Sequence, residues 1–184
     1  MLRLKSDVWN ELSNGDKLAL VRIYKEYYNE LFNYGFRISG SEDLTRDCIQ
    51  ELFIKIWLNK EKYSKIKNPK PYIFKILRNT IVDSLKNKED CAGLCDIELI
   101  DPFLSEQDFA INTDRPSDVK KKLLKAIDKL TKRQKEIIFL KFYSGLSYEE
   151  ISEITSIKNQ SIRNITSNAL KKLRVILPKS LTEI

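Results

Sequence analysis

Histidine is absent from the 184 residues. That removes the commonest general base and the commonest metal ligand. Glycine and proline are scarce, at five each, and the scarcity favours helix over sheet. The three cysteines are Cys48, Cys91 and Cys95. Cys48 falls in an amphipathic stretch and reads as a small buried hydrophobe. Cys91 and Cys95 stand four apart in an acidic stretch without a third or fourth thiolate or imidazole nearby, so no zinc site is expected; a redox or disulfide role is the lesser alternative. No run approaches the roughly 20 apolar residues of a spanning helix. The start, Met1 to Asp7, has no apolar core of signal-peptide length. A cytoplasmic protein is expected. With no Gly-rich phosphate loop either, neither cofactor, metal nor catalytic residue is expected, and an enzyme is disfavoured.

What is present is lysine, leucine, isoleucine and glutamate in quantity, with 42% apolar residues and a net charge of +7. A basic chain suits a polyanionic partner. The charge is unevenly placed. Residues 1–87 hold 16 Lys/Arg against 11 Asp/Glu, residues 88–118 hold 2 against 9, and residues 119–184 hold 15 against 6. The middle stretch carries Pro102 and Pro116 and no clear period, as a linker would. The expected layout is all-α: a helical domain over 1–88, an acidic linker over 89–118, and a second helical domain over 119–184. The acidic stretch is a solvated tether, or alternatively a nucleic-acid mimic inside a partner's basic channel.

In the first domain a short helical turn from Asp7 to Leu12 should close at Asn14-Gly15. Asp16 is placed to cap a long helix to about Ile38, with Leu20, Val21, Tyr24, Tyr27, Tyr28, Leu31 and Phe32 as its apolar positions. Ser39-Gly40 should stop it and Ser41 should cap the next, which runs to about Asn59. A Lys-rich loop and two prolines precede a fourth helix over about Tyr72–Lys86. The helix ending at Asn59 is apolar on more than one side, with Leu52, Phe53, Ile54, Ile56, Trp57 and Leu58 together. Such breadth means central burial or a docking face.

The last domain should hold four helices, over Val119–Leu130, Lys132–Ser144, Tyr148–Thr155 and Gln160–Val175. Gly145 suits a left-handed cap. Thr131 with Gln134 and Ser147 with Glu150 have capping-box spacing. In the final helix Ile162, Ile165, Ala169, Leu173 and Ile176 share one face. Arg163, Asn164, Ser167, Lys171 and Arg174 share the other. A short helix, a tight turn and a cationic, amide-rich helix is the pattern that enters a DNA major groove; an ordinary helical hairpin is the plainer reading. Arg suits guanine edges, and Asn or Gln adenine edges. Asn159, Gln160, Ser161, Arg163, Asn164 and Ser167 are the candidate base-facing residues. Lys158, Lys171, Lys172 and Arg174 are better placed for phosphates.

Two blocks resemble one family. Asp47-Cys48-Ile49-Gln50-Glu51-Leu52-Phe53-Ile54-Lys55-Ile56-Trp57 continues into Pro71-Tyr72-Ile73-Phe74-Lys75-Ile76-Leu77-Arg78-Asn79. The other block runs from Leu130-Thr131-Lys132-Arg133-Gln134 through Gly145-Leu146-Ser147-Tyr148-Glu149-Glu150-Ile151 to Leu173-Arg174. The chain resembles the extracytoplasmic-function sigma factors of bacterial RNA polymerase, and its Gln160-Ser161-Ile162-Arg163-Asn164 looks most like members from the Bacteroidetes. The resemblance implies a region 2 that binds core polymerase and the −10 element, and a region 4 that reads the −35 element. It implies that Asp47, Gln50, Glu51, Ile54 and Leu58 face the β′ clamp helices, with Phe53 and Trp57 kept in the core. It implies that Tyr63, Lys65, Lys67 and Asn68 of the loop, with Lys75, Arg78 and Asn79 of the next helix, hold −10 DNA, including a flipped base. The alternative for Tyr63 and Ile66 is that they pack the loop down. Region 4 is expected to contact the β flap, and an anti-sigma protein is the expected inhibitor. The chain departs from the family at Thr131 (usually Pro), Ser152 (usually Ala), and Ile165 and Asn168 (often basic). Two rival classes remain at this stage. A free-standing two-domain regulator would share the second block but not the first. A helical protein-binding adaptor would show no salt-sensitive DNA affinity.

Overall fold

A computed structural model describes residues 3–65, 68–88, 123 and 125–176. Among the described residues there is no strand. Contacts divide the chain into two units, Met1–Ile97 and Glu98–Ile184. The acidic stretch 89–118, with Cys91 and Cys95, lies outside the described residues.

The first unit contains α1 (Arg3–Ser13), α2 (Lys17–Ser39), α3 (Glu42–Leu58), a 3-10 turn (Lys60–Lys65) and α4 (Pro69–Lys88). Its boundaries follow local chemistry. The Asp16 carboxylate accepts from the Leu18 N–H at 2.8 Å, and Ser41 Oγ accepts from the Leu44 N–H at 3.3 Å. Gly40 closes α2 in the left-handed conformation. Proline opens α4, where its missing N–H leaves no bond unmade. The buried stripe of α2 is Ala19, Ile23, Tyr27, Leu31, Tyr34 and Ile38, the three- and four-residue spacing of one helix face. It meets Ile49, Leu52 and Ile56 of α3 and Ile73, Phe74, Leu77 and Ile81 of α4, all buried. Gly35 lies at this junction. A Cβ there would come within 2.8 Å of Thr45 Cγ2 and 3.1 Å of Ile81 Cδ1, so the absence of a side chain is what lets three helices approach.

Two expectations change here. The helix α1 is longer than the short turn read from Asp7 to Leu12, and its Trp9 and Leu12 are core residues. The ring of Trp9 stacks on Tyr63 at 5.4 Å and tilts against Tyr27 at 6.4 Å. Central burial of α3 does not hold: Ile54 and Leu58 are 52% and 72% exposed. Val21 and Tyr24 of α2 are also exposed, so the long helix buries fewer of its apolar positions than its sequence offered.

The second unit contains helical residues 125–128 (α5), α6 (Lys132–Ile138), a π-helical segment (Phe139–Tyr143), α7 (Tyr148–Thr155) and α8 (Asn159–Ile176). Ala126, Ile127 and Leu130 pack on Ala169 and Leu173 of α8. Both capping boxes form. Thr131 Oγ1 accepts from the Gln134 N–H at 3.2 Å while Gln134 Oε1 accepts from the Thr131 N–H at 3.1 Å. The threonine that departs from the usual proline therefore has a capping role. The continuous helix expected over Lys132–Ser144 is α-helical only to Ile138. Beyond it the Ser144 N–H reaches back five residues to the Phe139 carbonyl at 3.1 Å, a widened turn of the kind found near functional sites. Gly145 follows at φ +67°, a conformation that costs glycine little.

Candidate nucleic-acid interface

The helix-turn-helix is α7, the turn Ser156–Lys158, and α8. Ser147 Oγ accepts from the Glu150 N–H at 3.1 Å, and Glu150 Oε2 accepts from the Ser147 N–H at 2.6 Å. Ser156 ends α7 at φ 59°, an uncommon conformation for a residue with a Cβ. Its N–H bonds the Ser152 carbonyl at 2.9 Å. The Ser152 hydroxyl in turn donates to the Ile157 carbonyl at 2.6 Å. Serine in place of the usual alanine thus fastens the turn. On α8, Ile162, Thr166, Ala169 and Leu173 are buried. Lys158, Gln160, Ser161, Arg163, Asn164, Ser167 and Lys171 are exposed and Asn159 is half-buried. The helix holds no acidic residue, so its outward face is cationic and rich in amides.

That face is already ordered. Arg163 Nε donates to Asn159 Oδ1 at 2.9 Å, and Gln160 Nε2 donates to Asn164 Oδ1 at 3.2 Å. Asn159 Nδ2 donates to Glu149 Oε1 at 2.7 Å, and Arg163 Nη2 reaches the same oxygen at 3.4 Å. The Glu149 carboxyl is held below the usual carboxylate range, first by its own backbone N–H and next by Asn159.

A second surface lies between the 3-10 turn and α4. A groove of about 420 Å³ is lined by Lys55, Asn59, Lys62, Tyr63, Tyr72, Ile76, Asn79, Thr80 and Asp83. On α4 the spacing of Tyr72, Ile76, Asn79 and Asp83 puts them on one stripe, since the helix turns about 100° per residue. Of the residues expected here, Asn79 lines the groove and is exposed. Tyr63 lines it only from below: it is 2% exposed, stacked on Trp9 and edge-on to Tyr72 at 5.6 Å. Its ring packs the turn down, and burial pushes its hydroxyl pKa up. Tyr72, at 40% exposure, is the ring open to solvent in this groove. Lys75 and Arg78 are half-buried on α4 and do not line the groove; Asn68 is exposed at its N-terminal approach. Lys67 and the side chain of Lys65 lie outside the described residues. Lys62, of the loop that the resemblance pointed to, lines the groove, whereas Lys55, Asn59, Tyr72 and Asp83 went unselected in the sequence. The signal for Lys55 and Asn59 was their four-residue spacing at the end of α3, and for Tyr72 and Asp83 the stripe along α4.

A third surface is apolar. A groove of about 500 Å³ between α2 and α3 is lined by Leu20, Tyr24, Tyr28, Arg46, Ile49, Gln50, Phe53, Ile54, Trp57 and Leu58. Asp47, Gln50, Glu51, Ile54 and Leu58 are all exposed on α3. Phe53 is buried as expected, but Trp57 is half-buried at the groove, with Lys60 Nζ 5.0 Å from its ring centre. The exposed Leu18, Val21 and Tyr24 extend the apolar area along α2.

The family model for Sigma-70 region 2 matches residues 23–90, and that for Sigma-70 region 4 matches residues 120–173. Two such regions in this order define a promoter-recognising sigma factor, a specificity subunit rather than an enzyme. The chain is 30% identical over 165 residues to the RNA polymerase sigma factor SigV of Bacillus subtilis (strain 168), covering 89% of this chain and 93% of SigV. It is 20% identical over 166 residues to the ECF RNA polymerase sigma factor SigM of the same organism, covering 90% and 99%. The fold is shared with CnrH, solved in complex with the cytosolic domain of CnrY, at a TM-score of 0.61 and 13% identity over 93% of this chain and 95% of that one. It is shared too with the sigma factor RpoE of Bartonella quintana, solved with the anti-sigma factor NepR, at a TM-score of 0.60 and 22% identity over 84% and 94%. The chain belongs to the extracytoplasmic-function sigma factors of bacterial RNA polymerase. Among the described residues no helix is long and apolar enough to cross a membrane.

Proposed function

We propose that the protein works in the cytoplasm as a two-point promoter reader docked on core RNA polymerase, with residues 1–88 as region 2, 89–118 as the tether and 119–184 as region 4. The observation that carries this is the pairing of a cationic, acid-free α8 with a groove in the other unit that combines lysine, amide and an exposed ring. Lys158, Asn159, Gln160, Ser161, Arg163, Asn164, Ser167 and Lys171 meet the −35 element. Arg and the amides read base edges while the lysines position the helix on phosphates. Tyr72, Asn79, Lys62 and Asn59 hold unpaired −10 bases, with Lys65, Lys67, Asn68, Lys75 and Arg78 supplying cations and an amide around them. The Tyr63 ring supports that groove from below. The tether raises the effective concentration of the second reader once the first has bound.

The α2/α3 groove is the docking surface for the β′ clamp helices, through Asp47, Gln50, Glu51, Ile54 and Leu58, and region 4 meets the β flap. Because CnrH and RpoE are solved with CnrY and NepR, an anti-sigma protein competing for these surfaces is the proposed inhibitor. The Gln160–Asn164 stretch favours a Bacteroidetes-like member. The test mixes the full chain with bacterial core polymerase and a pool of candidate promoters. A stable complex that initiates at defined starts supports the reading. Salt-sensitive DNA binding without a polymerase complex would leave a free-standing regulator.

A further inference from the structure

The outward face of the helix-turn-helix includes a carboxylate that is tied to Asn159 and Arg163 of α8. Glu149 Oε1 accepts from Asn159 Nδ2 at 2.7 Å and pairs with Arg163 Nη2 at 3.4 Å. Arg163 Nε closes the ring of contacts on Asn159 Oδ1 at 2.9 Å. The guanidinium carbon lies 4.8 Å from the centre of the Tyr148 ring, and Lys141 Nζ lies 4.7 Å from the same ring. Both ends of the Asn159 amide are therefore engaged, and the Arg163 guanidinium has N–H donors beyond these two contacts.

We propose that Glu149 is the positioning residue of the upstream reader: with Tyr148 it fixes one arrangement of Arg163 and Asn159, and so sets which base pairs that end of α8 accepts. The inference rests on α8 being the −35 reader. Its physical basis is a choice between two partners for arginine. A free arginine on a DNA-facing helix binds phosphates as readily as guanine, and phosphates carry no sequence. An arginine held by a carboxylate and stacked on a ring presents one fork in one direction. The carboxylate also repels phosphates, so a register in which Arg163 finds no base edge to replace it is disfavoured. Glu149 is ionised in this setting, its carboxyl lying below the usual range.

The test uses the full chain bound to core polymerase and a selection from randomised duplex DNA, read position by position in the upstream half of the selected motif. Glu149→Gln removes the charge while keeping the shape. The expected result is a loss of discrimination on the order of tenfold at one or two adjacent base pairs, with a severalfold gain in affinity for scrambled duplex and no change elsewhere in the motif. Tyr148→Ala should relax the same positions, and Tyr148→Phe should not. Glu153→Gln, one turn further along α7 and also exposed, removes the same charge away from Arg163 and should leave the preference intact. The proposal is overturned if Glu149→Gln keeps the wild-type preference, or if Glu153→Gln relaxes it equally. If the wild-type complex itself selects no upstream motif, the assignment of α8 as a reader fails, and this inference with it.

Discussion

Trp9, Tyr27, Tyr34, Phe53, Tyr63 and Phe74 are all buried in the first unit, whereas the second buries a single ring, Phe139, among the described residues. The second unit relies instead on aliphatic side chains and alanine, and on two complete capping boxes. Large rings bury much apolar surface per residue, and that burial is what lets the first unit tolerate an exposed apolar groove on α2 and α3. The second unit buries fewer rings, and both of its capping boxes are complete. The α8 residues proposed to face DNA are held in the same way, by side-chain contacts among neighbours. One half is therefore expected to fail when a ring is removed, and the other when a cap or turn is altered.

The sharpest way to break this contrast is Trp9→Ala. Removing a buried tryptophan costs about 3–5 kcal/mol, and segment-resolved hydrogen exchange should show loss of protection in the first unit alone. Tyr63 loses its stacking partner, so the groove beside the 3-10 turn should lose its shape as well. Next in size is Ile54→Asp with Leu58→Asp. Both side chains are exposed, so thermal stability should hold, while affinity for core polymerase falls by about thirtyfold or more, the scale of a lost hot spot. A stable variant that still binds would sink the docking assignment. Gly35→Ala should cost about 1–2 kcal/mol by chemical denaturation, because overpacking at Thr45 outweighs the gain in helix propensity. In the second unit Ser147→Ala should cost about 1 kcal/mol, visible as faster exchange in α7. Smallest, and opposite in sign, Ser156→Gly should stabilise by about 0.5–1 kcal/mol by relieving a left-handed residue with a Cβ. Equal responses of both units to these changes would refute the contrast.

Helix ends were the most legible part of the sequence, because a cap is a contact between residues two to four apart. Asp16, Ser41, Thr131, Ser147 and Gly145 all act as their positions suggested. The outward face of α8 was legible for the same reason, since its period is local. Tyr63 was not: a tyrosine beside lysines fits a packed ring as well as an exposed one, and only α1 arriving from another part of the chain decides between them. Ile54 and Leu58 posed the same difficulty in reverse, since an apolar residue does not reveal whether its covering belongs to the same chain. The bracket around Arg163 was hidden because Glu149 sits 14 residues away on a different helix. The π-helical segment has no sequence period that separates it from the α-helix before it.

Both tryptophans of the chain, Trp9 and Trp57, lie in the first unit, one beneath the 3-10 turn and the other at the wall of the α2/α3 groove. Tryptophan fluorescence therefore reports on that half alone. Trp9 is enclosed and Trp57 is partly open to water, so their emissions should separate in wavelength and in access to a quencher. A partner that covers the groove should shield Trp57 and leave Trp9 unaltered. Strand capture beside the turn should do the reverse. The protein thus carries two built-in optical reporters for the two proposed binding events, without any attached dye.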